Sequence, residues 1–170
     1  ELVPKRDEWF KTALKNNNTD ALMETAYFLA SDWNEGLRYI ERGVNLGSVD
    51  AIVAMADSFT FPVLNEEKFL YYLKMAADLG SPSAMYSLGI VYRYGKYANF
   101  KGVPKLKVAI NEKIALDWFM KSYQPAYEES IFAKSRSNHT NIDYSFFNER
   151  SRNEIESIIY KNQKRTKVVA

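Results

Sequence analysis

His139 is the only histidine of the chain and lies in Arg136-Ser137-Asn138-His139-Thr140. There is no cysteine and no second histidine, so the partners that a metal site or an activated nucleophile requires are missing, and His139 reads as a polar residue at a helix end. Two acidic pairs, Glu66-Glu67 and Glu128-Glu129, are adjacent in sequence. Neighbours in a helix point about 100° apart, so neither pair converges on a substrate as glycosidase carboxylates do, and both read as solvated or first-turn helix charge. Gly89 and Gly95 fall in a helical repeat and Gly102 stands alone, which leaves no glycine loop to cradle a phosphate. Asn138-His139-Thr140 has the form of a glycosylation acceptor, but so short a match carries no weight. These residues predict a chain that is not an enzyme and holds no metal or cofactor.

The elements that would carry any function repeat along the chain. Ala21-Leu22-Met23-Glu24-Thr25-Ala26, Ala51-Ile52-Val53-Ala54-Met55-Ala56 and Ala84-Met85-Tyr86-Ser87-Leu88-Gly89 align, and Ser130-Ile131-Phe132-Ala133-Lys134-Ser135 fits more loosely. Each begins and ends on a small residue and has an aliphatic residue or Met second, a pattern that lets helices approach closely. A second set follows: Tyr39, Tyr72 and Trp118; Ile40, Leu73 and Phe119; Gly43, Ala76 and Ser122; Gly47, Gly80 and Ala126. Large and small residues thus recur at helical spacing, and Gly47 and Gly80 stand just past periodic runs, where glycine ends a helix in the left-handed conformation. The repeats lengthen from the first pair (21 to 47) to the second (51 to 80) and third (84 to 126), so the third carries an insertion of about 13 residues around Tyr97 to Lys107.

The pattern of Ala84, Leu88-Gly89, Tyr92 and Gly95, followed by Ala115 and Trp118-Phe119, resembles the Sel-one-like repeat family, relatives of the tetratricopeptide repeats. Tyr72, Ala76-Ala77 and Gly80 match the second half of that motif. The resemblance covers roughly residues 19 to 138, with Thr25-Ala26 and Lys134-Ser135 where the Leu-Gly pair would stand in repeats one and four. It implies an all-α fold, a right-handed α/α solenoid of about three to four helix-turn-helix repeats. The chain then reads as one domain with repeats at 19–48, 49–81, 82–126 and 127–140, a leading helix over 5–15 and a closing helix over 143–163. Ile155, Ile158, Ile159 and Tyr160 of that helix would cover the last apolar face, since a solenoid end needs one polar outer side.

In a solenoid of this type the first helix of each pair lines the inner face. The third, seventh and tenth residues from each first alanine are expected there, opposite core positions two, five and nine. The stripes are Met23, Val53, Tyr86 and Phe132; Tyr27, Asp57, Ile90 and Arg136; and Ala30, Thr60, Arg93 and His139. Arg93, Tyr94, Lys96, Tyr97 and Phe100 lead from them into the basic, aromatic insertion, and Tyr and Arg are enriched at binding hot spots. On this expectation Arg93→Glu and Tyr97→Ala weaken binding without changing helix content or melting temperature.

Charge divides along the chain. Residues 1–92 hold 8 Lys/Arg against 13 Asp/Glu, and residues 93–170 hold 15 against 8, within a formal net charge of +2. That total is too small to imply nucleic acid on its own, and the protein partner expected here is what the family resemblance implies. No run approaches the roughly 18 to 20 apolar residues of a membrane-spanning helix. The chain begins at Glu1, which suggests a removed leader, and the absence of cysteine suits a periplasmic protein or, alternatively, a reducing cytoplasm. Members of the resembled family are similar to bacterial adaptors and effector-neutralising immunity proteins. The resemblance therefore implies a protein-interaction module that neutralises a secreted toxin effector, or an envelope or secretion-system scaffold.

Overall fold

A computed structural model describes residues 2–29, 33–60, 63–98, 101–123 and 144–169. Eight helices lie among them: α1 (Leu2–Lys15), α2 (Thr19–Phe28), α3 (Trp33–Asn45), α4 (Val49–Ser58), α5 (Glu66–Asp78), α6 (Pro82–Tyr94), α7 (Glu112–Ser122) and α8 (Tyr144–Val169). The sequence's fourth repeat, at 127–140, lies outside the described residues. The chain divides into two compact units, Glu1–Leu79 and Gly80–Ala170.

The same punctuation starts each first helix. Asn18, Ser48 and Ser81 stand three residues before the repeat alanines and accept hydrogen bonds from the N–H groups of Ala21, Ala51 and Ala84 at 2.9, 3.4 and 3.3 Å. Each occupies one of the four donors that a helix N-terminus leaves unpaired. Asn65 and Asn111 cap α5 and α7 in the same way. The residue before each repeat cap is left-handed: Gly47 at φ 76° and Gly80 at φ 90°, with Asn17 at φ 59° in the equivalent place. Asparagine is among the few other residues that adopt this conformation readily.

Unit 1 packs α1 to α5. Met23, Ala26, Ile40, Ala51, Ala54 and Met55 form its core, ringed by Leu37, Tyr39, Val44, Phe59 and Tyr72. Phe59 and Tyr72 stack with ring centres 5.6 Å apart, which joins the end of α4 to α5.

Unit 2 packs α6, α7 and α8 around Ile90, Ala115, Phe119 and Ile158. Here the small repeat position meets its largest neighbour: a Cβ on Gly89 would lie 2.4 Å from the Phe119 ring, which is fully buried. The insertion folds back on α6. Gly95 caps α6 in the left-handed conformation, its carbonyl accepts from the Leu106 N–H at 2.7 Å, and Tyr92 O accepts from the Asn111 N–H at 2.8 Å. Lys96 and Lys105 form an isolated β-bridge, and Val103 and Leu106 are buried.

The closing helix, expected over 143–163, runs from Tyr144 to Val169 and packs mainly on α7 and secondarily on α6. That is how α4 packs on α3 and α2 in unit 1, so α8 stands in the position of a next repeat's first helix. Ser151, Ile155 and Ile158 face inward, whereas Ile159 and Tyr160, expected to share the cover, are exposed. The inward stripe is one residue wide, with spacings of three and four, and the rest of the helix offers water a polar side.

Candidate interaction faces

The sequence-derived stripes separate in the structure. Met23 is 6% exposed and belongs to the unit 1 core, where its sulfur lies 3.9 Å from the place a Cβ on Gly43 would take. The expectation that it faces solvent is corrected: α2 packs against α3 and α4 together, and its third position points between them. Val53 is half-buried. Ile90, at 3% exposed, is corrected likewise, because α8 lies over it and brings Ile158 into its cluster. Tyr86 is half-buried against Phe119 at 5.6 Å.

Arg93 is no free anchor either. Its side chain is 9% exposed and forms an ion pair with Glu154, whose backbone carbonyl it also meets at 3.0 Å, and Ser157 Oγ accepts from its second nitrogen at 2.8 Å. The guanidinium lies 5.2 Å over the Tyr94 ring, and Tyr94 OH donates to Glu154 at 3.0 Å. Arg93, Tyr94 and Glu154 therefore clamp α8 onto α6. Burial, with the Glu154 carboxylate second, pushes the Tyr94 phenol up to about 12, so it stays a hydrogen-bond donor at all physiological pH. A buried hydroxyl pair, Ser122 and Ser151 at 2.7 Å, adds a second polar tie. Because Ser122 donates to the Phe119 carbonyl at 2.8 Å, Ser151 must donate to Ser122.

Lys96 and Tyr97 are half-buried in the folded-back insertion, whose Val103 and Leu106 are buried, so the insertion reads as part of unit 2 packing. Phe100, Phe132, Arg136, His139 and Ala30 lie outside the described residues.

Among the described residues of these stripes, two remain open on neighbouring helices. Tyr27 on α2 is 62% exposed, and Asp57 on α4 is also exposed. These are the seventh positions of repeats one and two, equivalent to the covered Ile90 of repeat three. Asp57 touches water yet is surrounded by enough protein to desolvate its carboxyl, which pushes it up from 3.8 to about 6. Tyr27 is raised first by burial of its ring, then by the charges of Asp57, Asp50 and Glu24. Among the described residues, the Asp57 carboxyl and the Tyr27 hydroxyl have no hydrogen bond or ion pair. Thr60, in the tenth-position stripe, turns its hydroxyl back to the Asp57 carbonyl at 2.7 Å.

Glu154 was invisible as a site residue in the sequence, being one more charge in a polar helix. Its place one residue before Ile155, on the inward stripe, is the signal that marks it. Among the described residues, no three His, Cys, Asp or Glu side chains cluster closely enough to hold a metal. No described helix is long and apolar enough to cross a membrane.

No protein-family model and no curated protein sequence matches the chain. Its structure does match the crystal structure of a Sel1 repeat protein from Oxalobacter formigenes. The two align with a TM-score of 0.53 over 77% of this chain and 96% of that one, at 23% identity. The chain has a Sel1-like repeat fold. The all-helical architecture read from the sequence agrees with this match, and at such low identity the likeness bears on the fold alone.

Proposed function

We propose that the chain is a non-enzymatic protein-interaction module whose binding face is the surface of α2 and α4 in unit 1. One observation carries the reading: the equivalent position of unit 2, Ile90, is covered by α8, whereas Tyr27 and Asp57 of unit 1 are exposed and, among the described residues, make no hydrogen bond or ion pair. The surface where α2 and α4 lie side by side carries an exposed ring and an exposed carboxylate that no described helix of unit 1 covers. Exposed aromatic surface beside it, Phe28 at 87%, is the kind of surface that partners cover. Helices fixed by caps and a packed core lose little conformational freedom on binding, which favours a tight complex.

The setting we propose is neutralisation of a secreted toxin effector in the periplasm, which a small preformed face supports. The test is affinity capture from the source organism with the tagged chain and with Tyr27→Ala. One stoichiometric toxin-like partner, lost in the variant while helix content is kept, is the expected result. A diffuse set of envelope proteins would replace neutralisation by a scaffold role, and equal capture by both forms would remove the α2–α4 face from the account.

A further inference from the structure

We propose that the open face of α2 and α4 docks an arginine-bearing segment of a partner protein, with Tyr27 stacking on the guanidinium and Asp57 pairing with it. The proposal rests on the reading that this face binds a protein, and it specifies the chemistry of what is bound.

The chain itself shows how it joins one helix to another through such a set. In unit 2 a guanidinium (Arg93) lies over a tyrosine ring (Tyr94) and pairs with a carboxylate (Glu154) contributed by the docked helix. Ring and carboxylate are also hydrogen-bonded to each other. Unit 1 carries a ring and a carboxylate on neighbouring first helices, at the same repeat position, and among the described residues no guanidinium pairs with them. Guanidinium suits the gap because it is planar, stacks on aromatic faces, pairs with carboxylates through two donors and is only weakly hydrated.

The local electrostatics agree. Asp57 is desolvated, and no cation offsets that effect on its carboxyl. The charges that act on Tyr27 are the acids Asp57, Asp50 and Glu24, with no cation among them to lower it. Two basic groups of unit 1 are engaged elsewhere, Arg42 with Asn17 and the Leu14 carbonyl, and Lys68 over the Phe59 ring. Residues 1–79 hold 8 Lys/Arg against 13 Asp/Glu, so their field draws a basic segment toward the face. A second copy of this chain is the less favoured donor, because its described cations are partly occupied: Arg93 by Glu154, Lys161 by Glu112 and Lys164 over Tyr160.

The experiment titrates the full chain into a short fluorescein-labelled peptide alternating arginine and leucine, and into the same peptide with citrulline, the neutral isostere, in place of arginine. Saturable binding is expected, weakened at least about tenfold by citrulline, by Asp57→Asn and by Tyr27→Ala. Equal affinity for the two peptides, an unchanged affinity of Asp57→Asn, or no saturable binding of the arginine peptide would overturn the proposal. Loss in Tyr27→Ala alone would leave a protein-binding face and refute its cation chemistry. If the unliganded chain sediments as a salt-sensitive oligomer that Asp57→Asn converts to monomer, the occupant is a second copy and the partner assignment is wrong.

Discussion

Removing the Glu154 carboxylate is the sharpest perturbation of the clamp that closes unit 2. In Glu154→Ala the Arg93 guanidinium, 9% exposed, loses its counter-charge, and Tyr94 loses its acceptor. Breaking a buried pair from one side costs about 3–5 kcal/mol; Glu154 itself is 15% exposed, which points to the low end, about 3 kcal/mol. For a chain of this length that corresponds to a fall in Tm of about 6–12 °C. Urea titration gives the free energy, and hydrogen exchange should place the loss in α8, whose amides would open without those of α4. The double variant Arg93→Met, Glu154→Leu should recover most of the stability, since apolar groups of similar size replace a buried pair at little cost. A loss below about 0.5 kcal/mol for Glu154→Ala would show that the pair behaves as an exposed surface bridge and would refute the clamp. The same geometry disqualifies Arg93→Glu as a variant that tests binding alone, because it would set two carboxylates against each other.

Gly89→Ala should gain up to about 1 kcal/mol of helix propensity but force a contact of 2.4 Å on the buried Phe119 ring. Overpacking of that kind costs about 1–3 kcal/mol, so chemical denaturation should show a net loss. Asp57→Asn should raise Tm at neutral pH. The folded carboxyl releases its proton near 6 and the unfolded one near 3.8, so wild-type stability falls as pH rises between those values; the gain in the variant should vanish at about pH 3.5 and be complete above pH 6. Asn18→Ala should cost about 1 kcal/mol and Asn18→Gly only a few tenths, measured by urea midpoint, because the glycine backbone still suits the cap position.

The fold was legible because repeat proteins write their architecture several times. Ala21, Ala51 and Ala84 mark the first helices, and Gly47 and Gly80 mark the ends. A further signal lay unread beside them: Asn18, Ser48 and Ser81, each three residues before a repeat alanine, with Asn17 in the glycine position, already set the repeat phase. The candidate face was only partly legible. Helical spacing told which residues share a side, but not whether a neighbouring helix covers it. Met23 was lost to the space between α3 and α4, and Ile90 and Arg93 were lost to α8, which arrives from more than fifty residues away in sequence. Tyr27 and Asp57 stay open because the described part of unit 1 sends no helix across them.

That asymmetry is tested most directly by placing a photo-crosslinking phenylalanine analogue at Tyr27 or at Tyr94 and irradiating the full chain in cells of the source organism. The account expects an adduct with a second protein from position 27, and from position 94 an adduct within the chain at the α8 peptide that contains Glu154. Intermolecular adducts from position 94 and none from position 27 would contradict it.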